Sequence, residues 1–485
     1  MNARRYPNVL LAVAVAVCVV TTGPPASAAR APATGITDWQ PCPDRPEVQC
    51  GSLAVPLDWA RPNGPTISLA VARNPADDPA QRIGALFLNP GGPGGSAAQF
   101  ATYADLALSP ELARRFDLIG IDPRGMKGST PVRCTGVVYP PGFTMFPRNE
   151  EQFRAFVRGN AAFGRSCVEG TGPLIGHVDT VSVARDHEAV RIALGEPSFS
   201  YLGLSYGTQI GMQYADLFPG RIRAMVFDGV LDHTMGTREM LLDEAATVED
   251  SFNRFTRWCA RTTACALYGR DVGALFDHIV AAADRHPMPV PGAARPVVGE
   301  DIRFVTQNYL LFKEPTLFEP VPGWIRLGQA ISNTLDGDAS GFALPAPQAP
   351  TDVQSAGVAC LDNPAEVTTY PDLRRLIRQA RAVAPHLQGA SQSWTLLRCL
   401  GYPIPGTNPP RRLDIRDAPP ILLVNSTHDA STTYKWALSV RSQVRRSVLL
   451  TRIGDGHTSS MNSPCARAAI DRYLIDRIMP GPICR

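Results

Sequence analysis

Short apolar runs bounded by Gly, Pro, Asn or Asp recur through the first half of the chain, at residues 53–57, 67–72, 85–88, 118–121, 199–204 and 225–227. Their length and turn-forming borders predict strands. Helix-like stretches lie between the later ones, notably 182–194, where Val183, Val190, Ile192 and Leu194 mix with Arg185, Asp186, Glu188 and Arg191, and 208–217. Strands alternating with helices predict an α/β fold: a mostly parallel sheet covered by helices on both faces. From about His233 to Ser393 the strand pattern stops and helix-like segments are broken by prolines, as at 286–291 and 345–350. Strand signals return at 421–424 and 447–453, and a last helix is predicted over 465–478. The expected organisation is therefore a core over 29–232, an inserted, mainly helical cap over 233–393, and completion of the core over 394–485.

The first 28 residues read as a secretory signal. Arg4 and Arg5 precede an apolar stretch at 9–20, and Ala26-Ser27-Ala28 is a small-residue cleavage site. That stretch is shorter than the ~20 residues needed to span a bilayer, so no transmembrane anchor is expected. Cys18 follows Val17, where a lipoprotein signal would place a small residue, and belongs to the signal. The other ten cysteines are an even number in a chain expected to be exported, which points to disulfides. Sequence leaves their connectivity open; pairing of neighbours would join 42 with 50, 134 with 167, 259 with 265, 360 with 399 and 465 with 484. Neither C-x-x-C nor H-E-x-x-H occurs, so no metal or other cofactor is expected. With a net charge of +3 on 485 residues, and lysine only at 127, 313 and 435, there is no basic cluster that would bind nucleic acid.

The chemistry is carried by Gly203-Leu204-Ser205-Tyr206-Gly207, a G-x-S-x-G between a predicted strand and a predicted helix. In that context the motif is a nucleophile elbow, with the flanking glycines allowing a turn that exposes Ser205 Oγ. A serine hydroxyl needs a base, and the base needs an orienting acid. In the α/β-hydrolase order of Ser, acid, His, the loops after the late strands supply Asp429 and His457. His428 and Asp455 adjoin these two and are discounted as triad members. The oxyanion needs two backbone donors: Tyr206, following the nucleophile, and a glycine of the loop 89–96 (Asn-Pro-Gly-Gly-Pro-Gly-Gly-Ser), where resemblance to the H-G-G-P-G-type loop of related peptidases favours Gly92, with Pro90 in the place of their histidine.

Together with Asp122-Pro123-Arg124-Gly125, Leu194-Gly195-Glu196, Asp228-Gly229-Val230, and Cys360 with Asp362, these segments resemble the secreted bacterial tripeptidyl aminopeptidases, within the prolyl iminopeptidase-like α/β-hydrolases. The resemblance covers most of the mature chain. It implies a Ser-Asp-His triad at Ser205, Asp429 and His457, and the characteristic C-terminal region of that family. Two departures stand out. The acid's loop reads Ser426-Thr427-His428-Asp429-Ala430-Ser431-Thr432-Thr433 where the family has G-x-x-D-P-x-T-P, and Lys127 replaces a glycine.

The expected function is release of short peptides, di- or tripeptides, from free N-termini by an exported serine peptidase. The alternative is a carboxylesterase or lipase-like hydrolase with the same triad. A catalytically silent adhesion protein would not need all three triad residues. An acidic side chain should receive the substrate ammonium, with Glu239, Asp243, Glu244, Asp301, Glu314 and Asp362 as candidates. Oligomeric state is not legible.

Overall fold

The computed structural model describes residues 35–126, 128–134, 144–293, 295–316, 320–344 and 351–485, with the side chains at 351–354 and 356 excepted. The expected signal segment and Lys127 lie outside the described residues. Ten strands form one sheet in the order β1-β2-β3-β5-β4-β6-β7-β8-β9-β10. They are β1 (Thr37–Cys42), β2 (Arg45–Pro56), β3 (Thr66–Asn74), β4 (Gly84–Asn89), β5 (Phe116–Ile121), β6 (Phe199–Leu204), β7 (Ile222–Asp228), β8 (Ile421–His428), β9 (Ser447–Asp455) and β10 (Ile483–Cys484). From β5 to β10 every pairing is parallel, while β1, β2 and β3 add an antiparallel margin.

The period of two in a strand sends alternate side chains to opposite faces. Phe87, Ile119, Tyr201, Met225 and Leu423 enter one buried cluster, and Leu86, Leu118, Leu202, Val226 and Leu422 the other. Central strands buried on both sides explain why their sequences are continuous apolar runs. Helices of ten residues or more are α1 (Glu150–Thr171), α2 (Thr180–Ala193), α3 (Tyr206–Leu217), α4 (Thr237–Arg261), α5 (Val272–Arg285), α6 (Gly299–Leu310), α7 (Gly323–Leu335), α8 (Thr351–Asp362), α9 (Tyr370–Val383), α10 (Tyr434–Gln443) and α11 (Pro464–Asp476).

Between β7 and β8 the regular elements among the described residues are helical. They hold two clusters of their own. Phe252, Phe255, Phe276, Trp324 and Leu327 gather α4, α5 and α7, and this cluster also takes in Ala430 from the loop after β8. Leu373, Leu376 and Trp394 form the second with Phe153 and Phe156 of α1, so a helix that precedes β6 in the chain supports the helical layer. A close approach places α1. A Cβ at Gly164 would stand 2.3 Å from Pro403 Cδ, so only glycine lets the 402–403 segment lie against the helix.

The ten cysteines among the described residues pair as neighbours: Cys42–Cys50, Cys134–Cys167, Cys259–Cys265, Cys360–Cys399 and Cys465–Cys484. The last joins α11 to β10, a two-residue strand at the sheet edge. Closing a loop of that size constrains the unfolded chain by about 3 kcal/mol. The Cys465→Ser/Cys484→Ser variant should lose stability of that order, read from urea unfolding of the purified protein.

Candidate active site

The residues singled out in the sequence converge where β4, β6, β7, β8 and β9 end, the edge at which open parallel sheets place ligand sites. Ser205 follows β6 with φ 55° and ψ −125°, a backbone conformation that costs about 1–3 kcal/mol for a residue with a side chain. The surroundings hold it there. Ser205 N donates to Asp228 O (2.9 Å), and Ser205 O accepts from Thr208 N (2.8 Å) and Thr208 Oγ1 (2.7 Å). Both motif glycines are sterically required, since a Cβ at Gly203 would lie 2.5 Å from Gly207 O and one at Gly207 would lie 2.8 Å from Asn89 O.

Tyr206 is the first residue of α3, where backbone N–H groups have no partner within the helix. Its phenol hydrogen-bonds Thr180 Oγ1 (2.6 Å), which donates to Asp362. The glycine loop after β4 passes directly over the elbow. A Cβ at Gly91 would lie 2.9 Å from Ser205 Cβ and 3.0 Å from Tyr206 N, and Gly91 has φ 87°. Gly91 N–H is committed to Asn89 Oδ1 (2.9 Å), whereas among the described residues none accepts from Gly92 N–H. The loop is tied back to the sheet by Asp122, which accepts from Ser96 Oγ (2.7 Å) and Ala98 N (3.0 Å).

Asp429 is buried just beyond β8. Its Oδ1 accepts from Ser431 N (2.8 Å) and Thr432 N (3.0 Å), and its Oδ2 from Thr432 Oγ1 (3.1 Å). This turn, closed by the aspartate itself, stands in for the glycine and prolines that the loop lacks. Both oxygens lie 2.9 Å from His457 Nδ1. A proton on Nδ1 shared with Asp429 leaves the Nε2 lone pair as the basic position.

Asp228 and Gly229 join the two halves of the site. While the Asp228 carbonyl receives Ser205 N–H, its carboxylate receives Ser459 N (2.8 Å) and Ser460 N (2.7 Å) from the segment just after His457. Gly229 faces the imidazole, and a Cβ there would come within 2.8 Å of His457 Cε1. Sequence reasoning quoted Asp228-Gly229 only as part of a resemblance. The signal for its role was a charged residue ending an otherwise apolar run.

Burial pulls the His457 pKa down, but Asp429 foremost, then Asp228 and Glu244, outweigh it, so the imidazole titrates above the ordinary histidine range. The neighbours His428 and Asp455 are engaged elsewhere, His428 Nδ1 with Asp250 (2.7 Å) and Asp455 with Arg254 and Lys313. Of the six acidic candidates, Glu239 and Asp243 pair with Lys435, Asp301 with Arg295, Glu314 is exposed, and Asp362 lies beneath the elbow. Burial lifts the Asp362 carboxyl to about 7. Glu244 is buried without a cationic partner among the described residues, accepting from Gln307 Nε2 (2.9 Å) and Ser393 N.

Residues 84–285 match the family model described as alpha/beta hydrolase fold, and residues 384–482 the one described as TAP-like protein. The chain is 32% identical over 470 residues to serine protease Hip1 of Mycobacterium tuberculosis, covering 91% of this chain and 89% of the relative. It is 31% identical to a tripeptidyl aminopeptidase of Streptomyces lividans, covering 93% and 86%. It is 30% identical to carboxylesterase B of Mycobacterium tuberculosis, covering 89% and 85%.

Two outcomes follow from this geometry. Gly91→Ala should fold but lose about 100-fold or more in kcat, because its Cβ would displace the oxyanion donors from the elbow; kinetics alongside circular dichroism check this. The base must be neutral to take a proton, so kcat/KM should rise with pH through an apparent pKa above the usual ~6.5 of histidine. In Asp429→Asn that limb should shift to lower pH, which a pH–rate profile would reveal.

Proposed function

From the premise that the chain belongs to the tripeptidyl aminopeptidase family of α/β-hydrolases, we propose that it is an exported serine peptidase releasing di- or tripeptides from free N-termini. The observation that carries the mechanism is the buried His457–Asp429 pair set against Gly229, at the strand end that also holds the Ser205 elbow. Ser205 Oγ attacks the scissile carbonyl carbon as its proton passes to His457 Nε2. Asp429 fixes the imidazole through Nδ1 and stabilises the imidazolium. Charge gathers on the former carbonyl oxygen, which receives the N–H groups of Tyr206 and Gly92; one such donor is worth about 10²–10³ in kcat. The tetrahedral carbon then expels the amine, which takes the proton from His457. Water, deprotonated by the same imidazole, attacks the acyl-enzyme and releases the peptide acid and Ser205.

Selection of a free N-terminus requires a carboxylate inside the cleft, and Glu244 is the candidate with the right placement. It acts on His457, and among the described residues its hydrogen-bond partners are neutral. An ammonium would supply the missing partner at the site where burial now raises the pKa of this carboxyl. The helices between β7 and β8 then serve as a cap whose depth sets how many residues precede the cleaved bond. Export is supported by the sequence at 1–28 and by five disulfides, and no helix among the described residues is long and apolar enough to cross a membrane.

The ester reading has support in a relative named carboxylesterase B, 30% identical to this chain against 31–32% for the peptidases. Fold and triad do not choose between an amine and an alcohol as leaving group. The two part on matched chromogenic substrates: a free-amine tripeptide amide, its N-acetylated twin and a short-chain ester. The peptidase reading expects fast cleavage of the free amine, weak cleavage of the acetylated twin, and loss of the difference between them in Glu244→Gln. Ester turnover without amide cleavage would sink it.

A further inference from the structure

We propose that Arg254 and Lys313, acting through Asp455, are positioning residues for the reaction. They latch the loop that carries His457 to the helical cap and so set where the imidazole meets Ser205. The inference rests on His457 serving as the base for Ser205. Asp455 lies two residues before His457, at the end of β9, with a side chain only 7% exposed. One carboxylate oxygen takes Arg254 Nε from α4, and the other takes Lys313 Nζ (2.9 Å) from the segment after α6. Burial alone would raise the pKa of this carboxyl. The two cations outweigh that and hold it below the ordinary aspartate range.

Three further contacts run the same way. His457 N donates to Leu311 O (2.8 Å), so the base is bonded through its own backbone to the cap. Asp250 stands one helical turn before Arg254 on the same face of α4 and takes His428, the residue before Asp429. Ala430, the residue after Asp429, packs into the cap cluster with Phe252 and Phe255. One face of one helix thus grips both loops that deliver the acid and the base, Asp250 holding His428 and Arg254 holding Asp455.

From below, Arg452 Nη2 donates to Asp455 O and Gly456 O, and Ser426 Oγ to Gly456 O (2.6 Å). These bonds hold the loop to the sheet, but the cap alone grips its outer side among the described residues. Displacing a base by about 1 Å can cost about 100-fold in rate, so a loop latched on one side only should lose turnover while leaving substrate binding in place.

The test uses the full mature protein and two readouts, steady-state hydrolysis of the free-amine tripeptide amide and the rate at which a fluorophosphonate labels Ser205. Arg254 and Lys313 are 31% and 28% exposed, so the Arg254→Met/Lys313→Met variant should fold, with its melting temperature as the check. The expected result is a fall of about tenfold or more in both kcat and labelling rate with KM within about twofold, most of it recovered when residue 254 is Lys instead of Met. Asp455→Asn should repeat the loss and gives a second route if the double variant does not fold. Unchanged kcat and labelling in either folded variant overturns the latch, as does a rise in KM alone, which would make these residues substrate contacts. Wild type that the probe does not label, like Ser205→Ala, would instead defeat the triad reading itself.

Discussion

The end of β7 is where the chemistry of this protein is assembled. Ser205 cannot hold its φ of 55° unaided, and the Asp228 carbonyl takes its N–H, while the Asp228 carboxylate takes two N–H groups from the turn after His457. One residue therefore sets the spacing between nucleophile and base. Gly229 completes the joint, because any side chain there would occupy the place of the imidazole. The carboxyl is buried and burial raises its pKa, with the N–H groups of Ser459 and Ser460 acting in the opposite direction. A strained elbow and a flexible glycine-bounded histidine loop are made rigid by bonds to a strand end that itself sits between two parallel neighbours.

Much of this was legible in the sequence, for a physical reason. Strands buried on both faces carry short apolar runs, so β4 to β8 announce themselves, half-buried β9 does so through Val448 to Leu450, and the proposed triad residues follow β6, β8 and β9 in order. Local stapling made the cysteines readable as neighbouring pairs. What escaped notice has weaker local signals. β1 carries Pro41 and is mostly exposed, β10 is two residues long, and α1 is interrupted by Gly159, Gly164 and Gly170, one of which serves a contact with residue 403 far along the chain. The partners of Asp455 and His428 were beyond reach for the same reason. A charge on a loop says nothing of which distant helix will meet it.

The acid's loop shows how a motif can change while its geometry survives. Without the family's glycine and prolines, the turn is closed by Asp429 itself, through Ser431 N, Thr432 N and Thr432 Oγ1, and Asn425 Nδ2 binds Thr432 O (3.0 Å) from the strand side. Backbone rigidity supplied elsewhere by ring constraints is supplied here by side-chain hydrogen bonds, an exchange that β-turn chemistry permits. Asp429 is thereby held by donors on both oxygens besides His457, which fixes the orientation of its carboxyl toward the imidazole.

Charge around the imidazole is lopsided, and this bears on what the cleft accepts. Asp429, Asp228 and Glu244 all act on His457, and Arg452, a buried cation on which Asp228 and Asp429 also act, lies on the sheet side of the loop, bonded to Ser459 and the backbone at 455 and 456. A site with three carboxylates near one guanidinium stabilises positive charge on its open side. In the proposed mechanism the first beneficiary is the imidazolium, formed at the moment the oxyanion appears. Before catalysis it is any cation a substrate brings, and a free peptide N-terminus brings one at a fixed distance from its first carbonyls, whereas a simple ester brings none. On the proposed peptidase reading, the same buried acidic groups that raise the pKa of His457 would favour a substrate that carries an ammonium, which would tie rate and selectivity to one electrostatic arrangement.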